Sequence, residues 1–163
     1  MRLYLIRHGK AVTAEIVLPD SERPLVAEGR KQVMRLAQRL QGLTIRCKLI
    51  QTSPFVRARE TAGILREAGL APKVEPVAPL APAGELTDWL PALTQWRDAK
   101  SGDLAAVGHF PNLAHWAESL AFGEAHGRLV LKTAGVIALE IPESGALLGN
   151  CELFWLSSPA LLP

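Results

Sequence analysis

The chain has 163 residues, 48% of them hydrophobic and 21% charged, with a formal net charge of +2. That size and composition fit one compact globular domain and exclude disordered and collagenous classes. A net charge so close to zero argues against a nucleic-acid partner, so any functional charge must be local.

The first predicted element is the apolar run Leu3-Tyr4-Leu5-Ile6, read as a strand covered on both faces. It is too short for a secretory leader and is cut by Arg7. No apolar run approaches the roughly 20 residues that cross a bilayer. The expectation is a soluble, cytoplasmic protein of one domain, residues 1–163, without a membrane partner. Residues 26–40 place Val26, Val33, Met34, Ala37 and Leu40 at helical spacing, with Lys31, Arg35 and Arg39 as a basic stripe. That stripe reads as a solvated helix face, with the docking of an acidic partner as the alternative.

Residues 48–52 form the second strand candidate. Ser53-Pro54 reads as an N-cap serine with proline at the first helical position, opening a helix with Phe55, Ala58, Ala62 and Leu65 on one face and a stop at Gly69. Residues 73–77 read as a third strand, confined to a sheet edge by Pro76. A loop follows over residues 76–84, then a helix over 86–96 that Pro91 interrupts or restarts. Residues 103–108 form a buried strand ending in glycine. Asn112 is the cap expected for a helix through Leu113, Trp116 and Leu120 that stops at Gly123. Residues 135–141 and 151–156 read as a β pair linked by residues 142–150. Strand and helix alternate without repeats or linkers, which implies an α/β sandwich with a largely parallel sheet.

Ligands of such sheets bind beyond the carboxyl ends of the strands. Three segments fall there: Arg7-His8-Gly9, Ser53-Pro54-Phe55-Val56-Arg57 and Gly108-His109. Two arginines and two histidines at strand ends suit a phosphoryl group, because guanidinium forks bind its oxygens in pairs and stay charged at working pH. Arg57, in the first turn of its helix, adds to the positive potential of the helix terminus. Gly9 would let the backbone approach the anion. His8 is assigned as nucleophile and His109 as stabiliser. Each segment alone also has a bland reading, as a turn, a surface residue or a core histidine; their co-occurrence carries the assignment. No Asp, Glu and His cluster has metal-ligand spacing, so neither a metal nor another cofactor is expected. Cys47 and Cys151 are too few and too far apart for zinc or a redox pair; a disulfide between them stays open beside two reduced thiols.

Arg7-His8-Gly9, the segment SPFVRA at residues 53–58 and the segment GHFPNL at residues 108–113 resemble the histidine phosphatase superfamily, which includes the phosphoglycerate mutases. With Asp20-Ser21-Glu22-Arg23-Pro24-Leu25 and the short length, the chain is most similar to the SixA-type branch, the phosphohistidine phosphatases. The resemblance runs from Met1 through the strand near Ile141. It implies a three-layer α/β/α sandwich with a mostly parallel central sheet. It also implies a phosphorylated nucleophile at His8, a phosphate pocket of Arg7, Arg57 and His109, and hydrolysis by water without metal or nucleotide. Arg23 matches a phosphate-contacting arginine of that branch, with a surface residue as the alternative.

Larger members of the superfamily carry a general acid between the second and fourth motifs, and Glu85 is the candidate here, Asp88 the second choice. The alternative for Glu85 is a carboxylate at a helix start. The branch has an incomplete acid position, in keeping with imidazole leaving a phosphoramidate more readily than an alkoxide leaves an ester. Lys10 and Arg59 would add charge at the rim. The expected substrate is protein phosphohistidine on a phosphotransfer domain, since no insertion is long enough for a lid. The alternatives are a small phosphorylated metabolite with Glu85 as acid, and a non-catalytic phosphate-binding adaptor. A mutase is disfavoured because it requires a closed site.

Overall fold

A computed structural model describes residues 1–13 and 18–161. Six strands and four α-helices are described: β1 Arg2–Arg7, α1 Ala27–Gly42, β2 Leu49–Thr52, α2 Val56–Glu67, β3 Val74–Pro76, α3 Leu86–Asp98, β4 Leu104–Gly108, α4 Asn112–Phe122, β5 Val136–Glu140 and β6 Glu152–Ser157. They form one sheet of order β3-β2-β4-β1-β5-β6. The first four strands in that order are mutually parallel; β5 and β6 continue the sheet antiparallel.

The alternation of side chains along each strand divides the core in two. Leu3, Leu5, Leu104, Ala106, Ile137 and Leu139 point to the side covered by α3 and α4, where Trp89, Leu93, Leu113 and Leu120 pack. Tyr4, Ile6, Ile50, Ala105, Val107 and Ala138 point to the opposite side, against Val33, Leu36 and Leu40 of α1 and Ala58, Ala62 and Leu65 of α2. The result is the expected α/β/α sandwich, and the continuous apolar runs of β1 and β4 follow from burial on both faces. Cys47 belongs to the second core and Cys151 to the first, so the sheet separates the two thiols and both are free. No helix among the described residues is long and apolar enough to cross a membrane.

Three local expectations change. Ser53 is not a helix cap: α2 starts at Val56 with Phe55 as its N-cap residue. The Ser53 hydroxyl instead accepts the Phe55 amide at 3.2 Å and meets His109. Asn112 is likewise inside α4 rather than capping it, and its side-chain amide donates to the carbonyls of Pro82 and Gly84 at 2.9 and 3.0 Å. Pro91 does not interrupt α3, which is continuous. The carbonyl left without an amide partner by Pro91 is that of Thr87, and both residues are exposed.

Candidate active site

The register of the parallel strands brings the three sequence segments together. β1 and β4 run side by side with Arg7 opposite Gly108, and the amide of His8 donates to the Gly108 carbonyl at 3.1 Å. β2 flanks β4 on its other side, and the amide of Ser53 donates to the Val107 carbonyl at 2.8 Å. The side chains of Arg7, His8, Arg23, Arg57 and His109 therefore line one open cavity of about 400 Å³.

His8 is buried with its ring edge-on to that of His109, centroids 5.1 Å apart. Its Nδ1 lies 2.7 Å from the Gly9 carbonyl, which can only accept, so Nδ1 carries the proton. Nε2 therefore keeps its lone pair, which receives the Nε–H of Arg57 at 3.1 Å. Burial, with the positive charges of Arg57, Arg7 and Arg23 in support and the Gly9 carbonyl opposing, pushes the His8 pKa down to about 4. Burial does the same to His109, aided by His8 and Arg57, and takes it to about 3. Both imidazoles are thus neutral near pH 7.

Arg57, buried in the first turn of α2, is oriented on three sides. Besides His8, its guanidinium donates to the Asp20 carbonyl at 2.6 Å and to the Asp20 carboxylate at 3.2 Å, and it stacks 5.0 Å from the Phe55 ring centre. Arg23 donates to the same carboxylate and to the Val12 carbonyl. One carboxylate thus aligns two arginines. Burial opposes the ionisation of Asp20, but the hydrogen bonds from Arg23 and Arg57 prevail and hold its carboxyl below the usual range. Arg7 donates to the Leu131 carbonyl at 2.9 Å and lies 5.2 Å from the centre of the Phe110 ring.

Arg7 Nε and His109 Nδ1 are buried without a hydrogen-bond partner among the described residues. A buried donor left so costs about 1–3 kcal/mol, which an oxyanion in the cavity would recover. The Ser53 hydroxyl, 2.8 Å from His109 Nε2, can donate there and so place the His109 proton on the free Nδ1.

Four residues named from the sequence fall elsewhere. Glu85 is the exposed N-cap residue of α3 and Asp88 is exposed in its first turn; neither lines the cavity. Arg59 is exposed and also outside it, whereas Lys10 is at its edge, paired with Glu28 at 2.6 Å. Gly9 serves the packing of the turn: its amide donates to Thr61 Oγ1 at 3.1 Å, and a Cβ there would come within 2.7 Å of the Gly29 carbonyl of α1. The close approach the glycine permits is to α1 rather than to an anion.

Two supports were not found from sequence. Asp20 stands in a quoted segment, but nothing local marks a carboxylate as an arginine clamp. Glu118 is buried on α4, and its carboxylate accepts the amides of Gly127, Arg128 and Leu129 at 2.6 Å, and that of His126. Burial opposes its ionisation; the four amides prevail and hold the carboxyl low. They anchor the segment that delivers the Leu131 carbonyl to Arg7.

A family model described as the histidine phosphatase superfamily (branch 1) matches residues 3–78. The chain is 43% identical, over the full length of both, to an uncharacterised protein of Picosynechococcus sp.. It is 28% identical to the phosphohistidine phosphatase SixA of Escherichia coli, covering 99% of this chain and 96% of that one. Among solved structures, the protein histidine phosphatase SixA complexed with tungstate superposes with a TM-score of 0.84 at 26% identity, covering both chains completely.

Proposed function

The chain belongs to the histidine phosphatase superfamily and is a phosphatase of SixA type, and from that premise we propose that it hydrolyses protein phosphohistidine through a phosphorylated His8. The observation that carries the choice of substrate is the make-up of the cavity. Three arginines and two histidines line it, and among the described residues no carboxyl group does. An ester needs a proton on its departing alkoxide, whereas a phosphohistidine protonated on its free ring nitrogen departs as neutral imidazole.

In the first step the lone pair of His8 Nε2 forms a bond to phosphorus as the substrate's P–N bond breaks, its electron pair returning to the substrate ring. Arg57 Nε, released from Nε2, turns to a phosphoryl oxygen; Arg7 Nε, His109 Nδ1 and Arg23 take the other oxygens. Water then attacks phosphorus as the Nε2–P bond breaks; the bond's electron pair returns to Nε2, a water proton passes to a phosphoryl oxygen, and phosphate leaves. The tungstate of the SixA relative is an oxyanion of the same shape and charge type as the group handled here.

Glu85→Gln separates this substrate from a small ester. Phosphate release from a phosphorylated histidine phosphotransfer domain and from a sugar phosphate would be measured for both proteins. Little change on the domain is expected, with slow ester turnover in either protein. Efficient ester hydrolysis that collapses in Glu85→Gln, with no turnover of the domain, would replace the proposal with a small-molecule phosphomonoesterase.

The pH profile is a second test. The free-enzyme pKa values appear in kcat/KM. With His8 at about 4, the nucleophile stays neutral as acid is added through the ordinary histidine range around 6.5. After correction for substrate ionisation, kcat/KM should hold level down to about pH 5 and fall only below it. An acid limb centred near 6.5 would mean that burial does not keep His8 neutral.

A further inference from the structure

A larger cavity, about 510 Å³, lies beside the catalytic one, between α1, the turn at residues 132–133 and residues 158–160. The two are neighbours by construction. Thr133 lines both. The next residue, Ala134, donates its amide to the His8 carbonyl at 3.0 Å, and Gly135 accepts the amide of Arg7 at 3.1 Å, so the turn that separates the cavities is tied to the nucleophile strand. Lys31 and Arg35, one helical turn apart on α1, and Lys132 on the turn line this second cavity, and all three are exposed. None of them pairs with a carboxylate among the described residues. Glu28, the one acidic lining residue among the described residues, is engaged by Lys10. Unpaired cations clustered at one edge of the catalytic mouth, on a chain of net charge only +2, make a local positive field. Arg39, the third member of the helical stripe, does not line this cavity.

We infer that this basic groove docks an acidic surface flanking the phosphohistidine of the partner protein, an inference that rests on the phosphohistidine-protein reading above. A phosphoryl group on a protein reaches the cavity only with its surroundings, and Thr133, which lines both cavities, makes the basic groove part of the rim those surroundings meet. Carboxylates there would meet Lys31, Arg35 and Lys132 while the phosphoryl group meets the arginines inside. Such rim contacts act mainly on encounter and are screened by salt beyond about 8–10 Å at physiological ionic strength.

The test compares the full chain with its K31E/R35E/K132E variant on two substrates: a net-acidic histidine phosphotransfer domain phosphorylated on its histidine, and free phosphoimidazole. On the domain at low salt, kcat/KM should fall about tenfold or more, mostly through KM, and the difference should shrink as salt is raised. On phosphoimidazole the two proteins should agree within about twofold, which also reports an intact fold. Equal kcat/KM on the domain overturns the docking inference and leaves the substrate reading standing. A matching loss on phosphoimidazole overturns it too, because the groove would then act through the catalytic cavity. Wild-type protein that cleaves phosphoimidazole but not the domain overturns the substrate reading, and the docking inference with it.

Discussion

His8→Ala is expected to lower phosphatase turnover by roughly 10³-fold or more, in line with the loss of a covalent nucleophile, and to abolish the labelled intermediate. The expectation follows from the tautomer. The Gly9 carbonyl holds the proton on Nδ1, so the ring lone pair of His8 is on Nε2, the atom that faces Arg57. Removing the ring leaves Arg7, Arg57 and His109 able to bind phosphate but with no atom to receive it. The fold should survive, because His8 is tied into the sheet by its backbone, through the Gly108 carbonyl and the Ala134 amide, and its side chain contributes polar contacts at the edge of the core. Rapid quench with a radiolabelled phosphodonor should trap an acid-labile, alkali-stable phosphoenzyme in the wild type and none in the variant, with unchanged circular dichroism. A variant that keeps a tenth of the activity, or still takes the label, would remove His8 from the centre of the reaction. A wild-type protein that binds phosphate but takes no label would favour the non-catalytic adaptor.

Arg57→Ala should lower kcat/KM by about 10²–10³, the cost of losing one preorganised donor to transition-state charge. Its side chain is the hub of the site: one face holds His8, another holds Asp20, and Asp20 in turn holds Arg23. Truncation removes a charge from the phosphoryl oxygens and leaves Asp20 Oδ2 without its Arg57 partner, while Arg23 still holds Oδ1. Arg57→Lys keeps the charge but cannot serve Asp20 and His8 at once with a planar fork, so it should recover only part of the loss. Kinetics on a phosphoramidate, with inhibition by inorganic phosphate, would check both variants. Loss confined to KM would mean that Arg57 binds ground state and transition state alike; a change under threefold would deny it the clamp.

The legible parts of the molecule were those with local causes. The apolar runs of β1 and β4, the helical spacing of α1 and the strand-ending segments all follow from contacts a few residues apart or from burial on both faces, so their pattern could be read directly. Ser53 carries the local signature of a helix cap, but its hydroxyl is claimed by His109, a residue 56 positions away. The place of Glu85 between motifs marks it as a candidate acid, yet its position at the start of α3 turns it to solvent.

The alternation of strands and helices, the burial of the central strands, the place of Arg7, His8 and His109 at strand ends and that of Arg57 in the first turn of the next helix are legible in the sequence, because periodicity and terminus chemistry are properties of neighbouring residues. Only the tertiary structure decided which nitrogen of His8 is free, that Asp20 aligns two arginines, that Glu118 anchors the segment behind Arg7, and that Lys31 and Arg35 share a groove with Lys132. The His8 and Glu118 hydrogen bonds span few positions and take their geometry from the turns that hold them, whereas the Asp20–Arg57 contact, across 37 positions, and the groove shared by Lys31, Arg35 and Lys132 bring distant parts of the chain together. Such pairings arise from the packing of the whole sheet, and no short stretch of sequence carries them.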